Sequence, residues 1–159
     1  MTNQISKIEK KLAEKNLNLP NLGKPLGTYL NAVQANGLVF VSGKLPITES
    51  GELLYEGRLG DIISTEEGYE AAKLCLLHVL ASVKEAVGDL DKIEKVVRLV
   101  GYVATTSEYY YAPQVVNGAS ELMIDLLGES GKHARLAVNV PALPLNSPVE
   151  LEGIFQIKG

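Results

Sequence analysis

Cysteine is almost absent from this 159-residue chain. The single Cys75 excludes an internal disulfide framework and any metal site built on a cysteine cluster. A lone thiol also points to a reducing compartment. Histidine is scarce as well. His78 and His133 stand far apart, with no cysteine or paired acidic residue at ligand spacing, so no metal site is expected. Basic residues are outnumbered, 15 Lys and Arg against 19 Asp and Glu, for a formal charge of −4. The one dense basic stretch, Lys7 to Lys15, is interrupted by Glu9 and Glu14. A phosphate backbone needs clustered cations, so nucleic acid is not favoured as a partner. No apolar run approaches the ~20 residues that span a bilayer, and the first ten residues contain no apolar h-region. These absences lead us to expect a soluble, cytoplasmic protein with no membrane partner. Repeats, low-complexity tracts, G-x-S-x-G, P-loop and G-x-G-x-x-G motifs are missing too.

What is present is the composition of a single globular domain, 46% hydrophobic and 21% charged. Ile5, Ile8 and Leu12 fall at helical spacing among Lys and Glu, which predicts a short amphipathic helix. Residues 1–18 read as a helical extension and 19–159 as the domain proper. Pro20, Gly23 and Pro25 separate the two. Two β-rich runs, Tyr29 to Gln34 and Leu38 to Ser42, flank Asn36-Gly37, a strong signal for a two-residue hairpin. A Gly-punctuated loop follows to Gly60. Ser64 and Glu67 then stand at capping-box spacing before a long helix. Its stripe is Ala72, Cys75, Leu76, Val79, Leu80, Val83 and Val87, and Gly88 stops it.

Cys75 on that stripe reads as a buried, inert thiol, and His78, off it, as a solvated side chain. Ile93 to Thr105 predicts a long strand with Val97, Leu99, Gly101 and Val103 on one face. A second helix, with Pro113 in its first turn, carries Val115, Ala119, Leu122, Met123 and Leu126 and ends near Gly128. Two strands, Ala134 to Val140 and Val149 to Ile157, close the chain. This order predicts an α+β fold of two layers, helices on one face of a single sheet. The other face, with Phe40, Val100, Ile154 and several valines, is partly apolar and calls for burial against further copies of the chain.

Chemistry concentrates in the last third. Alternation along Ala134 to Val140 puts Arg135, Ala137 and Asn139 on one face. An arginine opening an otherwise apolar strand is poorly explained by core packing, and its planar fork suits a carboxylate. A salt bridge to Glu150 or Glu152 on the following strand is the plainer reading, and spacing alone favours it.

The run from Ala134-Arg135 through Leu143-Pro144 to Val149-Glu150-Leu151-Glu152 resembles the C-terminal signature of the Rid family. These are the YjgF-type reactive intermediate deaminases, formerly labelled endoribonucleases. Upstream, Gly27-Thr28-Tyr29 is similar to the family's Gly-Pro-Tyr, and Val41-Ser42-Gly43-Lys44-Leu45-Pro46 to its Ser-Gly-Gln-Ile-Pro. Thr48 to Glu52 and Val116-Asn117 also fall in place. The resemblance covers about residues 27 to 157, without the N-terminal helix.

It implies a chorismate-mutase-like fold with a mixed sheet, assembled as a homotrimer with clefts between subunits. The activity implied is hydrolysis of 2-imino or enamino acids to 2-keto acids and ammonia, with no cofactor. The partner is a small carboxylate-bearing metabolite. Arg135 would grip the substrate carboxylate and Glu150 would serve as acid and base on the attacking water. Tyr29, Ser42, Gly43 and Asn117 would line the cleft, and His133, just before the arginine, is a further candidate. The chain departs from the family where Ala137 replaces a cysteine, Asn139 a glutamate and Thr28 a proline. Two alternatives remain at this stage: a trimer that binds a metabolite in the same cleft without turnover, and an endoribonuclease. The charge and the missing histidine pair weigh against the second.

Overall fold

The computed structural model describes residues 5–159. Residues 1–4, which the sequence analysis included in the N-terminal extension and its leader reading, lie outside the described residues. A helix, α1, covers Lys7–Glu14. Ser6 caps it reciprocally with Glu9, satisfying two backbone N–H groups that a short helix otherwise leaves open. Ile8 and Leu12 enter the core, at 4% and 1% exposure, whereas Ile5 precedes the cap and stays exposed. Polar ties hold α1 to its own chain: Lys7 N–H donates to Asp91, Lys15 pairs with Asp125 at 2.6 Å and Lys11 Nζ reaches the Leu126 carbonyl.

Strands β1 (Ala32–Ala35) and β2 (Leu38–Lys44) form the expected hairpin. Asn36 and Gly37 have φ of 49° and 76°, the left-handed pair a type I′ turn requires. The β-rich reading from Tyr29 began too early, since β1 starts at Ala32. Helix α2 (Thr65–Val87) has the Ser64–Glu67 capping box and ends on Gly88 at φ 84°. Every residue of its expected stripe is buried, Cys75 included. His78 is not solvated. It is 8% exposed, and its Nε2 lies 2.7 Å from the Ile47 carbonyl, because the loop after β2 wraps the flank of α2 that periodicity assigned to water.

β3 (Ile93–Ala104), α3 (Ala112–Leu127), β4 (Ala134–Val140) and β5 (Val149–Ile157) complete the fold. The sheet order is β1-β2-β5-β3-β4, with β3 and β4 parallel and all other pairs antiparallel. β4 is therefore an edge strand, and β3 lies between it and β5. Along β3 the register against β5 shifts between Val96 and Arg98, leaving Val97 unopposed. That bulge resets the alternation. Val96 takes the core position and Val97 is exposed, contrary to the expected face. On β5, Val149, Leu151 and Phe155 are fully buried under the helices, while Glu150, Glu152 and Ile154 point to the opposite face. Val33, Phe40 and Leu136, between 42% and 50% exposed, give that face an apolar character.

Leu12 joins α1 to the core, so Leu12→Ala should cost about 2–5 kcal/mol, the usual range for a buried leucine. Denaturant unfolding at fixed protein concentration measures it, and a loss under half a kcal/mol would mean α1 is a detachable appendage.

Candidate functional site

Arg135 sits beside Leu99 on the helix-facing side of β4. Its Nη1 donates to Asn117 Oδ1 at 2.7 Å and to Ser120 Oγ at 3.3 Å. Asn117 and Ser120, three residues apart on α3, share the helix face that looks at the edge strand. Ser120 Oγ also lies 2.9 Å from His133 Nε2, and His133 Nδ1 lies 2.6 Å from the Gly131 carbonyl. A carbonyl only accepts, so Nδ1 carries the imidazole proton and Nε2 accepts from the serine hydroxyl. Burial, with the Arg135 charge, holds His133 below its usual value, which favours that neutral ring. Three expected residues, Arg135, Asn117 and His133, thus come together through a fourth.

The salt bridge that spacing favoured is not formed. Glu150 and Glu152 face the other side of the sheet, and β3 separates their strand from β4. Among the described residues Arg135 has no carboxylate partner.

The second group gathers around Glu150. A Cβ on residue 43 would collide with the Glu150 carboxylate, so Gly43 is the space in which that side chain lies. The β2–β5 register shifts here, between Val41 and Lys44. Ser42 ties the strand to the preceding segment: its hydroxyl donates to the Leu30 carbonyl at 2.6 Å and its N–H to that of Asn31. Tyr29, adjacent to that segment, is exposed. Burial, and secondly the like charge of Glu152, pushes the Glu150 carboxyl above the ordinary range. Tyr102 stands opposite Glu150 in the β3–β5 ladder.

One chain therefore presents two separate groups, an arginine with neutral partners on the helix side of an edge strand and a carboxyl of raised pKa on the open sheet face. Of the departures, Asn139 has a structural task. Its Nδ2 donates to Thr105 Oγ1 at 2.8 Å and to the Tyr109 carbonyl, tying down the loop that leads into α3. Ala137 packs partly buried against the core. The Cys75 thiol is raised well above its usual value by burial, leaving it protonated beneath the sheet. No three His, Cys, Asp or Glu side chains among the described residues gather closely enough to hold a metal ion. No described helix is long and apolar enough to cross a membrane. Sequence reasoning missed Ser120, although its i, i+3 spacing from Asn117 was a usable signal. It also missed Tyr102, which only the register discloses.

A family model described as "YjgF/chorismate mutase-like, putative endoribonuclease" matches residues 9–155, reaching back into α1. Protein TCP17 of Trypanosoma cruzi is 34% identical over 142 residues, 89% of this chain and 88% of that protein. The crystal structure of protein Atu1372, of unknown function, from Agrobacterium tumefaciens superposes with a TM-score of 0.88 at 39% identity, covering 96% of this chain and 94% of that one. TdcF of E. coli, crystallised with bound serine, shares the fold at a TM-score of 0.62 and 20% identity, over 88% of this chain and 93% of that one.

The position of Glu150 has a consequence for stability. Its folded-state pKa lies above that of the unfolded chain. Its contribution is therefore fully present below the unfolded carboxylate range and is lost as pH rises through the folded value. Glu150→Gln keeps the shape and removes the charge. It should melt higher than the wild type near neutral pH, with the gap closing on acidification. Equal melting curves across that range would show that the carboxylate is fully solvated.

Proposed function

The chain belongs to the YjgF/Rid family, and on that premise we propose that it hydrolyses reactive 2-imino or enamino acids to 2-keto acid and ammonia, in clefts between the subunits of a homotrimer. The observation that carries this reading is the state of Arg135. Its charge meets no carboxylate among the described residues. Its Nη1 is taken by two neutral partners, and the recorded bonds leave Nε and Nη2 free for a bidentate grip. Arg135 is exposed, and an arginine kept there for a surface ion pair would be expected to sit against an acid.

The reaction follows from the two groups. Arg135 fixes the substrate carboxylate, with Asn117 beside it. Glu150 takes a proton from water as the water oxygen bonds to the imine carbon, and the same carboxyl passes it to the imine nitrogen to give the carbinolamine. Glu150 then takes the carbinolamine's hydroxyl proton and delivers it to the amino nitrogen, the C–N bond breaks and ammonia leaves, so that imine and water give ketone and ammonia. A carboxyl raised by burial is a better proton carrier for this two-way exchange than one at its ordinary value. Tyr29, Ser42 and Gly43 shape the Glu150 side of the cleft, and His133 stands behind Ser120 on the Arg135 side.

Because the two groups lie on different faces of one chain, a second copy has to bring one to the other. The exposed Val33, Phe40 and Leu136 on the open sheet face support such a contact. A lone buried thiol fits the cytoplasm as the setting. An endoribonuclease is disfavoured, since both histidines are engaged by backbone carbonyls and the net charge is −4.

Decay of 2-iminopropanoate generated in situ tests the activity, with pyruvate titration testing the grip. Arg135→Lys keeps the charge and loses the fork, which should weaken pyruvate binding by about 1.5–3 kcal/mol, or tenfold to a hundredfold, with little change in melting temperature. A destabilised variant that binds pyruvate normally would remove Arg135 from the site.

A further inference from the structure

We infer that Ser120 is a positioning residue: with its hydroxyl committed to His133, it presents a lone pair that locks the Arg135 guanidinium in one orientation. The inference rests on the proposed carboxylate grip for its consequence, though its geometry stands apart from it. Ser120 is 8% exposed in the middle of α3. A buried helical serine by default returns its hydroxyl to the carbonyl four residues back, as Ser82 does to His78 at 2.9 Å in α2. Ser120 instead bonds sideways, to His133 Nε2 at 2.9 Å and Arg135 Nη1 at 3.3 Å.

The chain of donors has one consistent direction. Gly131 O accepts from His133 Nδ1, so His133 Nε2 accepts from Ser120, so Ser120 can only accept from Arg135. Each partner lies on a different element: Gly131 on the turn after α3, His133 before β4, Ser120 on the helix and Arg135 on the edge strand.

The need for such a lock is physical. An exposed arginine has several rotatable bonds, and a free fork would give up entropy when it binds. Asn117 holds Nη1 from one side only. With Ser120 added, Nη1 is held at two points and the guanidinium plane is fixed, leaving the Nε–Nη2 edge as the part that meets a ligand. In this account His133 orients the serine, and touches no substrate.

Nitrogen-15 spectra of the guanidinium read the lock directly. Wild-type Arg135 should show two resolved Nη signals, because rotation about its Nε–Cζ bond is hindered, and they should merge in Ser120→Ala. The pyruvate dissociation constant should rise about tenfold in Ser120→Ala and in His133→Leu, the loss of one hydrogen bond to a charged group. His133→Gln, which keeps an acceptor near the position of Nε2, should return to within about twofold of wild type. Melting curves confirm that each variant is folded. Merged Nη signals already in the wild type, or resolved signals persisting in Ser120→Ala, would overturn the inference. So would pyruvate binding that ignores both substitutions. If the wild type binds no pyruvate at all, the carboxylate-grip reading fails, and the spectra still decide the positioning role.

Discussion

An arginine whose charge finds no acid among the described residues is the constraint from which the rest of the site follows. Arg135 is exposed, so its charge is tolerated without the ion pair that a buried guanidinium would need. Here Asn117 and Ser120 supply only neutral acceptors, so the charge remains available to an anion from outside. The helix α3 is shaped to allow this. Its face toward β4 is polar at 117 and 120, while Val115, Val116, Ala119, Leu122 and Met123 fasten it to the core. β4, as an edge strand, leaves the arginine with open space on one side.

The carboxylate that would complete the chemistry is held away from that arginine by topology. Inserting β3 between β4 and β5, with Glu150 on the face opposite Arg135, prevents the two charges from neutralising each other. The separation leaves each group without the other's opposite charge. Glu150 gains a raised pKa from burial and from Glu152, which a neighbouring arginine would cancel. In the proposed assembly the two are reunited only around a substrate, across a subunit boundary, where the apolar open face supplies the adhesion.

The regular elements were legible because their signals are local. The Ser64–Glu67 box, the Asn36-Gly37 turn and the stripe of α2 each depend on residues within a few positions of one another, and the structure has all three. Errors came where distant segments intervene. His78 was assigned to solvent because nothing in the helix reveals that the loop carrying Ile47 covers it. Val97 was placed on the core face because a bulge leaves no mark in an unbroken β-branched run. The Arg135–Glu150 pairing was favoured because consecutive strands are commonly neighbours, and here they are not. Family resemblance named Arg135, Asn117 and Glu150 together, and His133 was a candidate only through its place beside the arginine. Their division into two groups depends on sheet order and register, which no motif encodes.

The most direct test of that division is subunit complementation. Arg135→Ala and Glu150→Gln are each expected to abolish decay of 2-iminopropanoate. If every cleft takes its arginine from one subunit and its glutamate from the next, trimers re-formed from an equal mixture should contain intact clefts with a probability of about one quarter. The account predicts that the mixture regains about a quarter of wild-type activity once exchange of subunits has been verified. Verified mixed assemblies that stay inactive would contradict the claim that the site is shared.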